Sequence, residues 1–168
     1  GFFLGLSDIR PTHGSTAPDN DIETASIHLL DDVAPRHRER IRKLVHGTGF
    51  FTAAEIGIAV ELIDERLAKG DASGYHFIVA EARGRVVGYA CFGPIAGTDH
   101  SYDLYWIAVD RAIQRRGIGR ILMAETERRV RTLGGQRIYI DTSLREDYAS
   151  TRAFYERCGY IVDARLED

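Results

Sequence analysis

Gln114-Arg115-Arg116-Gly117-Ile118-Gly119 lies between an apolar, strand-like run from Leu104 to Val109 and an amphipathic helical run from Ile118 to Val130. A strand, a glycine-rich turn and a helix start together make an anion site. Successive backbone N–H groups point into such a turn, and the first-turn N–H groups of the helix lack an intrahelical acceptor. Gly117 and Gly119 allow the backbone to approach the anion closely. Arg115, Arg116 and Arg120 bring positive charge to the same place, which suits several phosphates better than a lone carboxylate. The stretch therefore predicts an α/β domain that seats a phosphorylated cofactor where a strand hands over to a helix.

Spacing separates the phosphate-binding motifs. A P-loop needs Gly-x-x-x-x-Gly-Lys-Ser/Thr, which the chain does not contain. A dinucleotide fingerprint needs a glycine where Leu122 stands and a much shorter gap than the one from Val109 to Gly117. Asp141, at the end of the next strand, falls about where a ribose-binding acid would, so an NAD(P)-dependent oxidoreductase stays open as an alternative.

Working outward, residues 1–24 hold Pro11, Gly14 and Pro18 among polar residues with no apolar period, which predicts an extended arm or linker outside the core. Residues 25–168 form the domain. A strand is predicted from Ala25 to Leu30, then a helix to about His46 with Ile41, Leu44 and Val45 on its buried stripe. Thr52-Ala53-Ala54-Glu55 has capping-box spacing and opens a second helix through Lys69, which Gly70 stops. His76 to Ala80 and Val86 to Phe92 read as a hairpin turned at Arg83-Gly84-Arg85. Tyr102 to Val109 is the central strand, Gly134-Gly135 ends the helix after the glycine turn, and Arg137 to Thr142 is the next strand. A short helix from Tyr148 to Cys158 and a strand from Tyr160 to Leu166 complete an α/β order with a mixed rather than wholly parallel sheet.

With 168 residues, 44% of them hydrophobic, the chain can bury a real core, and its composition is that of a globular domain and not of a disordered one. Its formal net charge of −3 argues against nucleic acid or an anionic membrane as partner. Eight arginines nevertheless fall between Arg111 and Arg137, around the proposed phosphate site. The longest uncharged stretch, Val86 to Thr98, is far short of the roughly 20 apolar residues of a membrane span. Cys91 and Cys158 supply neither a disulfide framework nor metal-ligand spacing, so no metal is expected and a reducing cytoplasm is the default location.

The motifs together resemble the GCN5-related N-acetyltransferases (GNAT). Gln114 to Gly119 matches that family's Gln/Arg-x-x-Gly-x-Gly/Ala signature, Gly84-Arg85-Val86-Val87-Gly88 is similar to its second hairpin, and Arg152 to Tyr160 is similar to its last helix and following strand. The resemblance covers about Ala25 to Asp168. It implies an acyl-CoA N-acyltransferase fold with a central mixed sheet flanked by helices, and one strand beyond those the sequence provides. It implies acetyl-CoA as co-substrate, with the pyrophosphate on Gln114, Arg115, Arg116, Gly117, Ile118, Gly119 and Arg120. The pantetheine would pair with Ile107, Ala108 and Val109. On the last helix, Tyr148 and Thr151 stand at cofactor-facing positions where many members carry Asn and Ala.

Direct acetyl transfer to an amine needs an acid for the leaving thiolate and a base for the amine. The resemblance makes Tyr155 the acid and Asp103 the base, the latter through a water because its side chain is short. His100 and Tyr105 are further candidates for the base, whereas His76 reads as a strand histidine and Cys91 as a packing residue. The acceptor is an amine, of a small molecule or of a protein N-terminus or lysine, and Asp99, Asp103, Glu146 and Asp147 would suit its positive charge. Gly47 to Thr52 and residues 1–24 are expected to bear on acceptor choice, and the arm also on contact between subunits of a homodimer. A non-catalytic acyl-CoA-binding regulatory module is the other reading of the same motifs.

Overall fold

We describe the protein from a computed structural model, which defines residues 2–5, 26–113, 116–142 and 148–161. Its strands are β1 (Phe2–Gly5), β2 (Ile27–Leu30), β3 (His76–Ala82), β4 (Arg85–Pro94), β5 (Ser101–Val109) and β6 (Arg137–Thr142). They form one sheet in the order β1-β6-β5-β4-β3-β2. Among the described strands only β5 and β6 run parallel, and α3 (Ile118–Thr132) makes the crossover that a parallel pair requires. Helices α1 (Arg38–Gly47) and α2 (Ala53–Lys69) pack on one face. On the other lie α3 and α4 (Ala149–Arg157). This is the mixed α/β sheet flanked by helices that the sequence predicts.

Local chemistry sets the boundaries. Thr52 Oγ1 accepts from the Glu55 N–H at 3.2 Å while Glu55 Oε1 accepts from the Thr52 N–H at 3.0 Å, so the capping box that opens α2 closes in both directions. Arg83 and Gly84 take φ of 51° and 74°, the left-handed pair that a tight β3–β4 hairpin needs. The α3 helix ends when the Gly135 N–H reaches the Val130 carbonyl (2.8 Å) and the Gly134 N–H reaches that of Arg131 (2.9 Å).

The apolar residues separate into two clusters, one on each face. Ile78, Ala90, Phe92, Leu104, Leu122, Met123, Ile138 and Tyr155 belong to the α3/α4 side. Ile41, Val45, Ile63, Phe77, Tyr89 and Cys91 belong to the α1/α2 side. Among the described residues no helix is long and apolar enough to cross a membrane.

Within the segment expected to be an arm, Phe2–Gly5 pairs antiparallel with β6 from Phe2↔Thr142 to Gly5↔Tyr139. The outer edge of β6 presents backbone N–H and C=O groups, and any short segment with strand propensity can satisfy them. Four residues carry no readable period, which is why the sequence pattern passed over them. Residues 6–25 lie outside the described residues, and so does most of the strand expected from Tyr160 to Leu166.

Gly93 on β4 lies under the turn that follows α2, where an added Cβ would run into the Gly74 carbonyl oxygen and come within 3.0 Å of the Tyr105 ring. Backbone on one side and a packed ring on the other leave little room to yield. Gly93→Ala is expected to lower stability by about 1–3 kcal/mol, measured as a reduced urea midpoint. An unchanged midpoint would mean that the turn is not seated on β4.

Candidate active site

The site begins with a miscount along β5. Cys91 pairs with Trp106 and Phe92 with Leu104, so Tyr105 is an extra residue with no partner of its own on β4. Such a bulge bends its strand and increases its twist. Pairing with β6 ends at the same point, Leu104↔Ile140 being the last partners. Beyond them, among the described residues, β5 stays paired with β4 as far as Val109 but no longer with β6, so β5 and β6 part there. The bulge also shifts the alternation of side chains. Tyr102 and Leu104 face α3/α4, then Trp106 and Ala108 face α1/α2, while Ile107 and Val109 return to the α3/α4 side.

At the far end of β5 the chain turns through Asp110, whose carboxylate accepts from the Ala112 N–H (3.0 Å) and pairs with Arg40 (2.7 Å). Gln114 and Arg115 lie outside the described residues. Gly117 is the N-cap of α3 at φ 78° and makes no side-chain cap bond. The first intrahelical bond there runs from the Ile121 N–H to the Gly117 carbonyl at 3.1 Å, so the N–H groups of Ile118, Gly119 and Arg120 precede the helical ladder. Gly119 has a constraint that the motif did not reveal: a Cβ there would lie 3.1 Å from the Phe154 ring of α4. Its lack of a side chain lets α4 close on the first turn of α3. Arg116 is exposed. Arg120 extends to the other end of α4, where Nη2 donates to the Arg157 carbonyl at 3.3 Å.

Tyr155 is held by the way α4 ends. The Tyr160 N–H donates to the Tyr155 carbonyl (3.0 Å) and the Gly159 N–H to that of Glu156 (2.9 Å), with Gly159 at φ 94°. Tyr160 is fixed in turn by donating its hydroxyl to Glu127 at 2.9 Å, and its ring lies 6.0 Å from that of Tyr155. Burial pushes the Tyr155 phenol well above its ordinary pKa, so it stays protonated across the working range. Thr151 is half-buried on the same helix. Tyr148, at its N-cap, meets Phe50 edge-on at 6.2 Å, and the neighbouring Phe51 meets Trp106 at 4.8 Å. The α1–α2 connection thus lies over the diverging end of β5. Trp106 was absent from the sequence reading because nothing in a strand pattern marks which apolar residue will border a gap.

Asp103 precedes the bulge and faces the α1/α2 side, opposite Tyr155. Burial raises its pKa, and the negative charge of Asp141 adds to the rise. Asp141 itself is raised by burial. Tyr105 is pushed up to about 12 by burial and by Asp103, and its ring meets Tyr75 at 5.4 Å. His100 does not belong to this group, because its Nδ1 donates to the Gly134 carbonyl (3.2 Å) at the end of α3. His76 stacks on Phe92 at 5.1 Å, and burial lowers its pKa. Burial pushes the Cys91 thiol far up, which leaves it a packing residue without nucleophilic character. Glu146 and Asp147 lie outside the described residues, and Asp99 is exposed. Among the described residues no group of three or more His, Cys, Asp or Glu side chains could hold a metal ion.

Comparison with known proteins bears on the family and the fold. The profile of the acetyltransferase (GNAT) family matches residues 41–160. A GNAT-family protein from Desulfovibrio desulfuricans is 41% identical, with 84% of this chain and 98% of that chain covered and a TM-score of 0.78. A Brucella melitensis GNAT acetyltransferase solved with acetyl-CoA is 22% identical, covering 83% of this chain and 85% of that one, with a TM-score of 0.62. The Escherichia coli ribosomal-protein-S18-alanine N-acetyltransferase is 18% identical, covering 79% and 76%, with a TM-score of 0.62. No curated protein matches in sequence.

The raised pKa of Asp103 has a consequence for stability. A carboxyl whose folded pKa lies above its unfolded value contributes stability at low pH, and that contribution is lost as pH rises through the folded pKa. Asp103→Asn removes the penalty of holding the charge. At pH 7 the variant is expected to melt at or above the wild-type temperature, with the difference closing below about pH 4, where unfolded carboxylates protonate. A variant that melts lower at pH 7, by a margin that grows with pH, would contradict the burial of this charge.

Proposed function

Because the chain belongs to the GNAT acetyltransferase family, we propose that it transfers an acetyl group from acetyl-CoA directly to a primary amine, of a small molecule or of a protein N-terminus or lysine. The observation that carries this reading is the coincidence of a parted strand pair with an uncapped helix start. The gap between β5 and β6 opens at Tyr105, and β5 leads from it to the N-terminus of α3. An extended amide chain bearing a pyrophosphate fits that sequence of features. Backbone N–H groups at the start of α3 hold the phosphates, with Arg116 beside them and Gln114 and Arg115 as further candidates from the signature. The edge of β5 turned away from β4 at Ile107, Ala108 and Val109 pairs with the pantetheine as a strand would and orients the thioester. Tyr148 and Thr151 border the same space from α4.

Acetyl-CoA supplies the activated acyl group as a thioester. The chain supplies proton management on both sides of the gap. Tyr155, protonated and buried, meets the sulfur from the α3/α4 side and offers its proton as the carbon–sulfur bond breaks. Asp103 works from the α1/α2 side, accepting through a water the proton that the ammonium must lose before its nitrogen attacks the thioester carbon. The neighbouring Asp141 favours a cationic acceptor, and Phe50, Phe51 and Trp106 give that acceptor an apolar wall.

Release of free thiol from acetyl-CoA, followed with a panel of amines, tests the reading. Turnover with at least one amine is expected. Binding of acetyl-CoA with no turnover across the panel would favour the regulatory module instead, and failure to bind CoA would remove both. Tyr155→Phe is expected to lower kcat by roughly 100-fold with little change in acetyl-CoA affinity, because the phenol acts on the leaving group. Unchanged turnover in that variant would take Tyr155 out of the acid role.

A further inference from the structure

Asp110, the first residue after β5, is bonded at every polar group it has. Its N–H donates to the Val87 carbonyl (2.8 Å), its carbonyl accepts from the Ile113 N–H (3.0 Å), and Oδ1 accepts from the Ala112 N–H (3.0 Å). These three bonds belong to β4 and to the single turn Arg111–Ile113. The fourth comes from a helix. Arg40 of α1 donates Nη2 to Asp110 Oδ2 at 2.7 Å, and the same guanidinium donates Nε to the Val86 carbonyl at 3.3 Å. The side chains of the pair are 31% and 25% exposed. Arg111 reaches back the other way, its guanidinium lying against Gly49 of the α1–α2 connection, where an added Cβ would be 3.7 Å from Nη1. An exposed ion pair joining two side chains contributes little, but this guanidinium ties helix, strand and turn at one point. Ile41, Leu44 and Val45 already seat α1 on the sheet, so the tie does more for the turn than for the helix.

We infer that Arg40 is a positioning residue for the acyl donor, its guanidinium fixing through Asp110 the turn that carries the chain from β5 toward the start of α3. The inference rests on the acetyl-CoA reading above and concerns a helix that the signature does not include, on the opposite face of the sheet from α3. Phosphates at the start of α3 are met by backbone N–H groups. Unlike a side chain, backbone cannot be re-aimed by a rotamer change, so its direction is set where the chain enters. Gly117 has no side chain with which to brace that entry. The bracing therefore falls to the turn before it, and Arg40 is what holds the turn from outside. Released from Arg40, the turn would sample several arrangements, of which a fraction present the N–H groups correctly. The apparent dissociation constant of the donor rises in inverse proportion to that fraction.

Arg40→Met keeps the stem and removes the guanidinium. Asp110→Asn keeps a side-chain oxygen for the Ala112 N–H and removes the charge that Arg40 meets. Calorimetric titration with CoA and with adenosine 3′,5′-bisphosphate, which lacks pantetheine, is run well below the melting temperature of each variant, so that global unfolding does not enter. Arg40→Met is expected to bind both ligands about tenfold more weakly, and Asp110→Asn about threefold to tenfold more weakly. The sign of the second change is the sharper test: removing a negative charge near phosphates would tighten binding by Coulomb attraction alone, so weaker binding reports on the turn. The double variant should bind about as Arg40→Met does, because both changes break one tie. Tighter or unchanged binding in Asp110→Asn would mean that Arg40 does not act through Asp110, and would overturn the proposal. So would fully additive losses in the double variant, a loss for CoA that the nucleotide does not share, or lowered melting temperatures with both affinities unchanged, which would make the tie structural only. If Arg40→Met does not fold, Asp110→Asn carries the test by its sign. If the wild type itself fails to bind CoA, the acetyl-CoA reading falls first and this one with it.

Discussion

Where β5 has one residue more than β4 can pair, between Leu104 and Trp106, the strand bends, and the candidate site is arranged around that bend. Hydrogen bonding to β6 stops at the same residue. A sheet that continued in register there would bury its own backbone groups and leave no room for an extended ligand. The bulge reverses that outcome locally without cutting the strand. It also changes which face each later side chain serves, sending Trp106 toward the α1–α2 connection and Ile107 toward α3.

The helices then fix the two ends of the gap. At one end α3 starts at Gly117, whose lack of a side chain leaves the N-cap with no bond to offer the first-turn N–H groups. At the other, Gly159 in the left-handed region turns the chain back so that Tyr160 docks on Glu127 and Tyr155 is locked beneath it. Gly119 joins the two, since only a residue without Cβ lets Phe154 of α4 pack against the first turn of α3. Two glycines of one signature therefore meet different demands, one conformational and one steric.

Much of this architecture was legible in sequence because local rules and burial agree. Thr52 and Glu55 announced a helix start that the structure closes with reciprocal bonds, and Arg83-Gly84 announced the hairpin. The bulge was written in β5 as well, although less plainly. The apolar residues that reach the α3/α4 cluster are Tyr102, Leu104, Ile107 and Val109, and the step of three between Leu104 and Ile107 breaks a period of two. β1 could not be read, because four residues that merely complete an edge need no pattern of their own.

Burial acts on the proposed acid and base in the same direction, with unlike consequences. It keeps the Tyr155 phenol protonated, and it also makes that proton harder to give to a thiolate, so the acid role asks for close contact with the sulfur. It raises Asp103, narrowing the gap to an alkylammonium of pKa about 10.4, and each unit gained makes proton removal about tenfold less uphill. Asp141 contributes to the same rise. In the proposed reaction its charge would also hold the ammonium form of an acceptor, which is the form that does not react. That conflict would resolve within the step itself. Once Asp103 had taken the proton through a water, one of the two negative charges would be gone and the amine neutral, so the field that attracted the cation would no longer oppose attack. Two carboxylates on one face would then serve successive needs, capture of a cation and its discharge, which a single exposed aspartate of ordinary pKa would meet less well.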